Sequence, residues 1–166
     1  MNKGLFVVFD GMDGSGKTTQ FLKAGEFLFN YSKTIDHLIL TREPTYGKIG
    51  KQIREMLAKD NDPYKNKEKL VELFVEDRKD HLHSSIIPLL EKNSLVLCDR
   101  FKYSTIAYQS TQGFNTQKIV DMHHGLKVPD LILIFDLPAE MAVQRMKSRG
   151  MNVEKFEKQE FLEKLR

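Results

Sequence analysis

The chain has 166 residues, 40% hydrophobic and 30% charged, which suits one folded domain with an ordinary core. A formal net charge of +3 is too small to argue for nucleic acid, and no apolar run approaches bilayer-spanning length. A lone cysteine, Cys98, makes no intrachain disulfide, and the N-terminus lacks a secretory leader pattern, so the expectation is a cytoplasmic protein without membrane or nucleic-acid partners.

Leu5–Phe9 is continuously apolar and runs into a glycine-rich turn, as in a strand buried on both faces. Helical spacing follows from Lys17 to about Tyr31, with Phe21, Leu22, Phe27 and Leu28 in phase. His37–Thr41 reads as a second strand, and Ile49–Leu57 as a helix ended by a polar break containing Pro63. From Lys67 to Glu91 the pattern is one long helix through Leu70, Leu73, Phe74, Leu82, Ile86 and Leu90, which Pro88 should kink or restart. Leu95–Cys98 is a third buried strand ending at Asp99-Arg100. Helices are expected near Ser104–Gln109 and Gln117–His123, a fourth strand over Leu131–Phe135, and a charged helical remainder from Ala139. Strands alternating with helices predict a three-layer α/β/α fold on a parallel sheet, in one domain covering residues 1–166.

Gly11-Met12-Asp13-Gly14-Ser15-Gly16-Lys17-Thr18 fits the phosphate-loop spacing G-x-x-x-x-G-K-[ST], directly after a strand and opening a helix. Glycines let backbone N–H groups turn inward around phosphate oxygens, and the helix N-terminus adds a favourable dipole. Lys17 is positioned for the β- and γ-phosphates, and Thr18 for Mg²⁺. A purine nucleoside triphosphate is the first ligand expected. The Asn-Lys-x-Asp run usual in GTP-specific proteins is absent. Asp99 ends the third strand as a further Mg²⁺ or water ligand, and Arg100 puts a guanidinium at the same strand end, where open α/β sheets bind ligands.

Phe9–Thr19, Thr41-Arg42-Glu43-Pro44, Leu73–Arg78, Asp99-Arg100-Phe101 with Ser104–Gln109, Pro129-Asp130-Leu131 and Arg145–Glu157 occur in one order along the chain. Together they resemble the thymidylate kinase family of P-loop nucleoside monophosphate kinases. The resemblance implies MgATP as donor, dTMP as acceptor and a helical lid over about residues 143–157. Gly11 to Thr19, with Arg145, would hold ATP. Asp13 would accept from the deoxyribose 3′-hydroxyl, Arg42 would hold the acceptor phosphate, and Arg100 would bridge donor and acceptor phosphates. Phe74 would stack on the pyrimidine, and Arg78, one helical turn on, would bond a ring carbonyl. Thr105 would touch the base edge, and Tyr108 would lie under the sugar where a 2′-hydroxyl would clash. Lys17, Asp99, Arg100 and the lid cation Arg149 would carry the catalysis. Read locally, Asp13 is also a capping residue, Phe74 core, Thr105 and Tyr108 ordinary amphipathic-helix residues, and the lid a solvated charged helix.

Some family members carry an arginine in the phosphate loop where this chain has Gly14, which moves the expected donor-side cations to Arg145, Lys147 and Arg149. Thr45-Tyr46 replace a glycine pair, which would stiffen that loop and bring Tyr46 toward the acceptor phosphate. His81, His83, His123 and His124 show no metal-ligand spacing. The residues from Glu154 on read as an exposed charged helix face. The family continues beyond the position of Arg166 with a final strand and helix, so four strands are expected here rather than five, either because the sequence stops short of those elements or because they are absent. By analogy the family forms homodimers, and the apolar positions of Leu70–Leu90 serve either a dimer face or the core. Two alternatives stay open: a kinase for another pyrimidine monophosphate, and a nucleotide-binding regulatory module that has lost turnover.

Overall fold

The four apolar runs become four strands, β1 (Leu5–Gly11), β2 (Leu38–Arg42), β3 (Leu95–Asp99) and β4 (Leu131–Phe135), in the computed structural model. It describes residues 4–31, 35, 37–59, 62–148 and 156–166. All pairings are parallel, in the order β2-β3-β1-β4. Such strands need crossovers, and the helices supply them. They are α1 (Lys17–Tyr31), α2 (Lys48–Ala58), α3 (Lys67–His81), α4 (Ile87–Glu91), α5 (Lys102–Thr111), α6 (Thr116–Met122), α7 (Ala139–Ser148) and α8 (Gln159–Leu165). None of those described is long and apolar enough to cross a membrane.

Side chains alternate across the sheet and build a core on each face. Phe6, Val8, Val96 and Cys98 pack with Leu82, Ile86 and Leu90 on one side. Phe9, Leu97 and Phe21 pack with Leu28, Leu38 and Phe135 on the other. Leu70 and Leu73 fill a third cluster with Ile53, Tyr108 and Phe161. The apolar positions of Leu70–Leu90 therefore line this chain's own core.

Pro88 restarts the long helix by a particular route. It has no N–H for the carbonyl four residues back, and the chain widens into a π turn over Leu82–Ile86. The N–H of Ile87 then reaches the carbonyl of Leu82.

Strand register sets the site. Phe9 pairs with Asp99, so the loop leaving β1 and the Asp99-Arg100 corner leaving β3 lie side by side. The chain passes from β1 to β2 on one side and from β3 to β4 on the other, so this corner is the sheet's switch point, where α/β proteins bind ligands. Asp130 locks the neighbouring strand: its carboxylate accepts from the Phe6 N–H at 2.7 Å, and its own N–H donates to the Phe6 carbonyl at 2.8 Å.

Candidate active site

Gly11–Thr19 wraps the start of α1, with Gly14 and Gly16 at φ of 79° and 88°, a region that disfavours side chains. A Cβ on Gly14 would also stand 2.5 Å from the Ala142 carbonyl of α7. A side chain at position 14 would therefore need α7 to shift. Arg145, on the same helix, instead reaches back to the Ser15 carbonyl at 3.4 Å. The loop lines a cleft of about 510 Å³ from Met12 to Thr19, while the Met12 side chain itself is buried against Leu137, Ala142, Met146 and Leu162. Arg145 faces an adjoining hollow with Ser15, Gly16 and Thr19.

One carboxylate gathers the reactive corner. Asp99 is ion-paired with the Lys17 ammonium and accepts from the Thr18 hydroxyl at 3.1 Å. Burial and the nearby Arg100 draw Lys17 below the ordinary lysine value, against the pull of Asp99. Thr18 and Asp99 offer two hard oxygen donors at one point, a donor set that fits Mg²⁺. Arg100, at a left-handed φ of 72°, is ion-paired with Asp13 and donates to Ser104 Oγ at 2.8 Å. The Tyr108 hydroxyl donates to Asp13 at 3.1 Å. Partial burial pushes the Asp13 carboxyl up, but Arg100, Lys17 and the Tyr108 hydrogen bond outweigh it, leaving Asp13 below the usual carboxylate range.

A second cleft, of about 660 Å³, opens beside the first, and Asp13 and Glu157 line both. Its walls are Pro44, Leu57, Phe74, Phe101, Tyr108 and Phe156, and its polar groups are Arg78, Arg100, Ser104, Thr105 and Gln109. Phe74 and Arg78 lie one turn apart on α3, and Thr105, Tyr108 and Gln109 share a face of α5. Arg78 is 1% exposed and held by Glu43, Thr105 and His123.

Arg42 is not brought to this cleft. It ends β2 with its side chain exposed and lines a separate cavity with Thr41, Tyr46, His81, Ser84 and Ser85. The cause is alternation: the next residue, Glu43, turns inward to Arg78, so Arg42 turns outward. Tyr46 is exposed in that same cavity, beneath the Arg54 guanidinium at 4.5 Å, and so stands away from the acceptor cleft. The loop is nonetheless well tied, since Asp77 accepts from Thr45 N–H at 2.7 Å and Thr45 Oγ1 at 2.6 Å. Arg149 lies outside the described residues, as do residues 149–155 of the expected lid.

Two participants, Gln109 and Phe156, had no role assigned from the sequence. Gln109 is 1% exposed in the cleft wall, and its Oε1 has no partner among the described residues. Its signal was position: one turn beyond Thr105. Phe156 closes the cleft and packs on Phe161 and Tyr108 with centroids at 5.1 and 5.4 Å. The charged C-terminal stretch is thus two-sided, with Phe161 and Leu162 buried and Glu160 and Glu163 outside. Glu43, His81 and Cys98 place potential ligand atoms within 4.8 Å of one another. They do not make a cation site, because Glu43 already neutralises Arg78 and bonds His81, while the Cys98 thiol, held protonated by burial and then Glu43, donates to the Arg100 carbonyl at 3.1 Å.

His123 is the other buried histidine. Burial and then the neighbouring Arg78 push it down from 6.5 to about 4. Between those values the unfolded chain binds a proton that the folded chain refuses, so stability should rise with pH from about 4 to 6.5 and be complete above. The gain is at most on the order of 3 kcal/mol. Urea titrations at about pH 5 and about pH 7 should show it, and should show a smaller difference in His123→Gln.

A phosphate loop beside a second cleft lined by aromatic faces and buried polar groups fits a P-loop phosphotransferase acting on a small acceptor. A model of the family described as thymidylate kinase matches residues 9–166. The chain belongs to the thymidylate kinase family. The thymidylate kinase of Desulfotalea psychrophila is 39% identical over 99% of this chain and 79% of its own length. The probable thymidylate kinase of Methanococcus maripaludis is 42% identical over 100% of this chain and 75% of its own. The crystal structure of thymidylate kinase from Ehrlichia chaffeensis matches with a TM-score of 0.72 at 31% identity, covering 88% of this chain and 79% of that one.

Proposed function

We propose that the chain carries out its family's reaction, phosphorylation of dTMP, by holding ATP at the phosphate loop and dTMP in the adjoining cleft. The observation that carries this reading is the junction of the two clefts at Asp13 and Glu157. Two phosphates entering from opposite sides would meet beside Lys17 and Arg100. The unit that acts is one P-loop kinase domain with a lid near residues 143–157, and a cytoplasmic setting suits its one buried cysteine.

In this reading the loop from Gly11 to Thr19 cradles the ATP phosphates through backbone N–H groups, and Lys17 exchanges Asp99 for phosphate oxygen. Thr18 and Asp99 would hold Mg²⁺, which supplies charge neutralisation at the phosphates when bound. The acceptor phosphate is largely dianionic near pH 7, so no strong general base is needed. What remains is positioning in line and offsetting repulsion between anions. Arg100 stands at the acceptor side of the junction, Arg145 faces the donor side, and Arg149 would add the lid cation. Phe74 and Phe156 offer faces to the pyrimidine, while Arg78, Thr105 and Gln109 offer polar groups to its edge. Asp13 and Tyr108 meet the sugar.

A coupled ADP-release assay with MgATP tests this. Turnover is expected with dTMP and at least about tenfold lower kcat/KM with CMP, because an edge built for carbonyls faces an amino group there. Equal turnover with dTMP, CMP and no acceptor would sink the reading.

A further inference from the structure

We infer that His123 is a positioning residue for base recognition, its imidazole fixing the Arg78 guanidinium so that Arg78 presents donors to the C4 carbonyl of the pyrimidine. This rests on the reading of Arg78 as a base contact.

His123 follows the last turn of α6, 4% exposed, and stands behind Arg78 rather than in the cleft wall. Its tautomer is set by its neighbours. Nδ1 lies 2.7 Å from the Ile119 carbonyl, which can only accept, so Nδ1 carries the proton. Nε2 lies 2.6 Å from Arg78 Nη1, which can only donate, so Nε2 is the acceptor. With the pKa held near 4 by burial and Arg78, that lone pair persists at neutral pH.

Arg78 is thereby gripped from two directions. Glu43 Oε2 takes Nε at 2.8 Å and Nη2 at 2.6 Å, His123 takes Nη1, and the guanidinium lies 4.9 Å over the Phe101 ring. What is left converges on one cleft residue: both Nη atoms share Thr105 Oγ1 at 3.2 Å. Those shared bonds are the longest Arg78 makes, and so the easiest for a substrate oxygen to join or replace. The sugar end of the cleft is marked by Asp13 at the phosphate-loop junction, so the ring edge reaching deeply buried Arg78 is the one far from the glycosidic bond, which carries C4. A fixed donor pair there accepts a carbonyl and opposes an amino group. Loss of the His123 acceptor leaves one Nη1 hydrogen without a partner and the fork free to tilt.

The test compares dTMP with 5-methyl-dCMP, which keeps the methyl group and puts an amino group at C4. His123→Leu is expected to raise KM for dTMP about tenfold, with kcat and the KM for ATP within about threefold, and to lower the preference for dTMP about tenfold. His123→Gln, whose amide oxygen reaches the place of Nε2, should keep both within about threefold of wild type. Arg78→Gln separates the two readings. If it removes the preference and His123→Leu does not, the imidazole is packing and the inference fails alone. If Arg78→Gln leaves the preference intact, Arg78 does not read the base and both fail. Should His123→Leu not fold, His123→Asn replaces it, since its amide reaches only the Nδ1 place: equal preferences in Asn and Gln variants overturn the inference, and loss in Asn alone supports it.

Discussion

Arg100→Ala is expected to lower kcat for dTMP phosphorylation by about 10²–10³-fold while the protein stays folded. The guanidinium is ion-paired with Asp13, bonded to Ser104 at 2.8 Å and stacked 5.2 Å over the Tyr108 ring, so it is preorganised where the two clefts meet. Two multiply charged phosphates brought together in line repel one another, and a fixed cation there helps most at the crowded transition state. Its removal should therefore show in kcat more than in the KM for ATP. Backbone strain does not confuse the comparison. Position 100 has a φ of 72°, a left-handed conformation that alanine finds as unfavourable as arginine does. Arg100→Gly supplies the control: it relieves the backbone by about 1 kcal/mol and should melt no lower than Arg100→Ala, yet be equally slow. Arg100→Lys keeps the charge but not the fork, and should recover only part of the rate. A kcat within threefold of wild type in Arg100→Ala would remove this residue from between the phosphates.

What the sequence made legible was local. The phosphate loop is defined by spacing within eight residues, and the strands by unbroken apolar runs, so both could be placed without the rest of the chain. The break at Pro88 was visible because a missing N–H is a property of one residue. Its form as a π turn depends on Leu82 and Ile86 staying in the core on both sides of it. Arg42 shows the limit. Its neighbours in sequence resemble a phosphate-binding signature, but which way a residue at a strand end faces depends on the next buried partner, here Arg78 drawing in Glu43 from 35 positions away. His123 lies 45 positions from the arginine it contacts, and no spacing rule joins them. Gln109 was intermediate: its helix face could be read, but not that its carbonyl would be buried without a partner among the described residues.

Glu43→Ala should cost about 3–5 kcal/mol of stability, the largest single loss expected in this fold. Glu43 and Arg78 are 5% and 1% exposed, and Glu43 also meets His81 Nδ1 at 3.1 Å. Removing the carboxylate strands a buried guanidinium, whose other acceptors, Thr105 and His123, are neutral. For a chain of this size each kcal/mol moves the melting temperature by roughly 2–4 °C, so a drop of about 10 °C is expected. A drop of under about 2 °C would mean that water reaches Arg78. Deleting both charges is different from deleting one. Glu43→Leu with Arg78→Met leaves no buried ion, and buried pairs replaced in this way are often no less stable than the original. The double variant should therefore recover most of the lost stability. It should not recover dTMP turnover, because the donors at the deep end of the acceptor cleft are gone. A network kept only for folding would return both when repacked with apolar groups, whereas one kept for recognition returns stability alone.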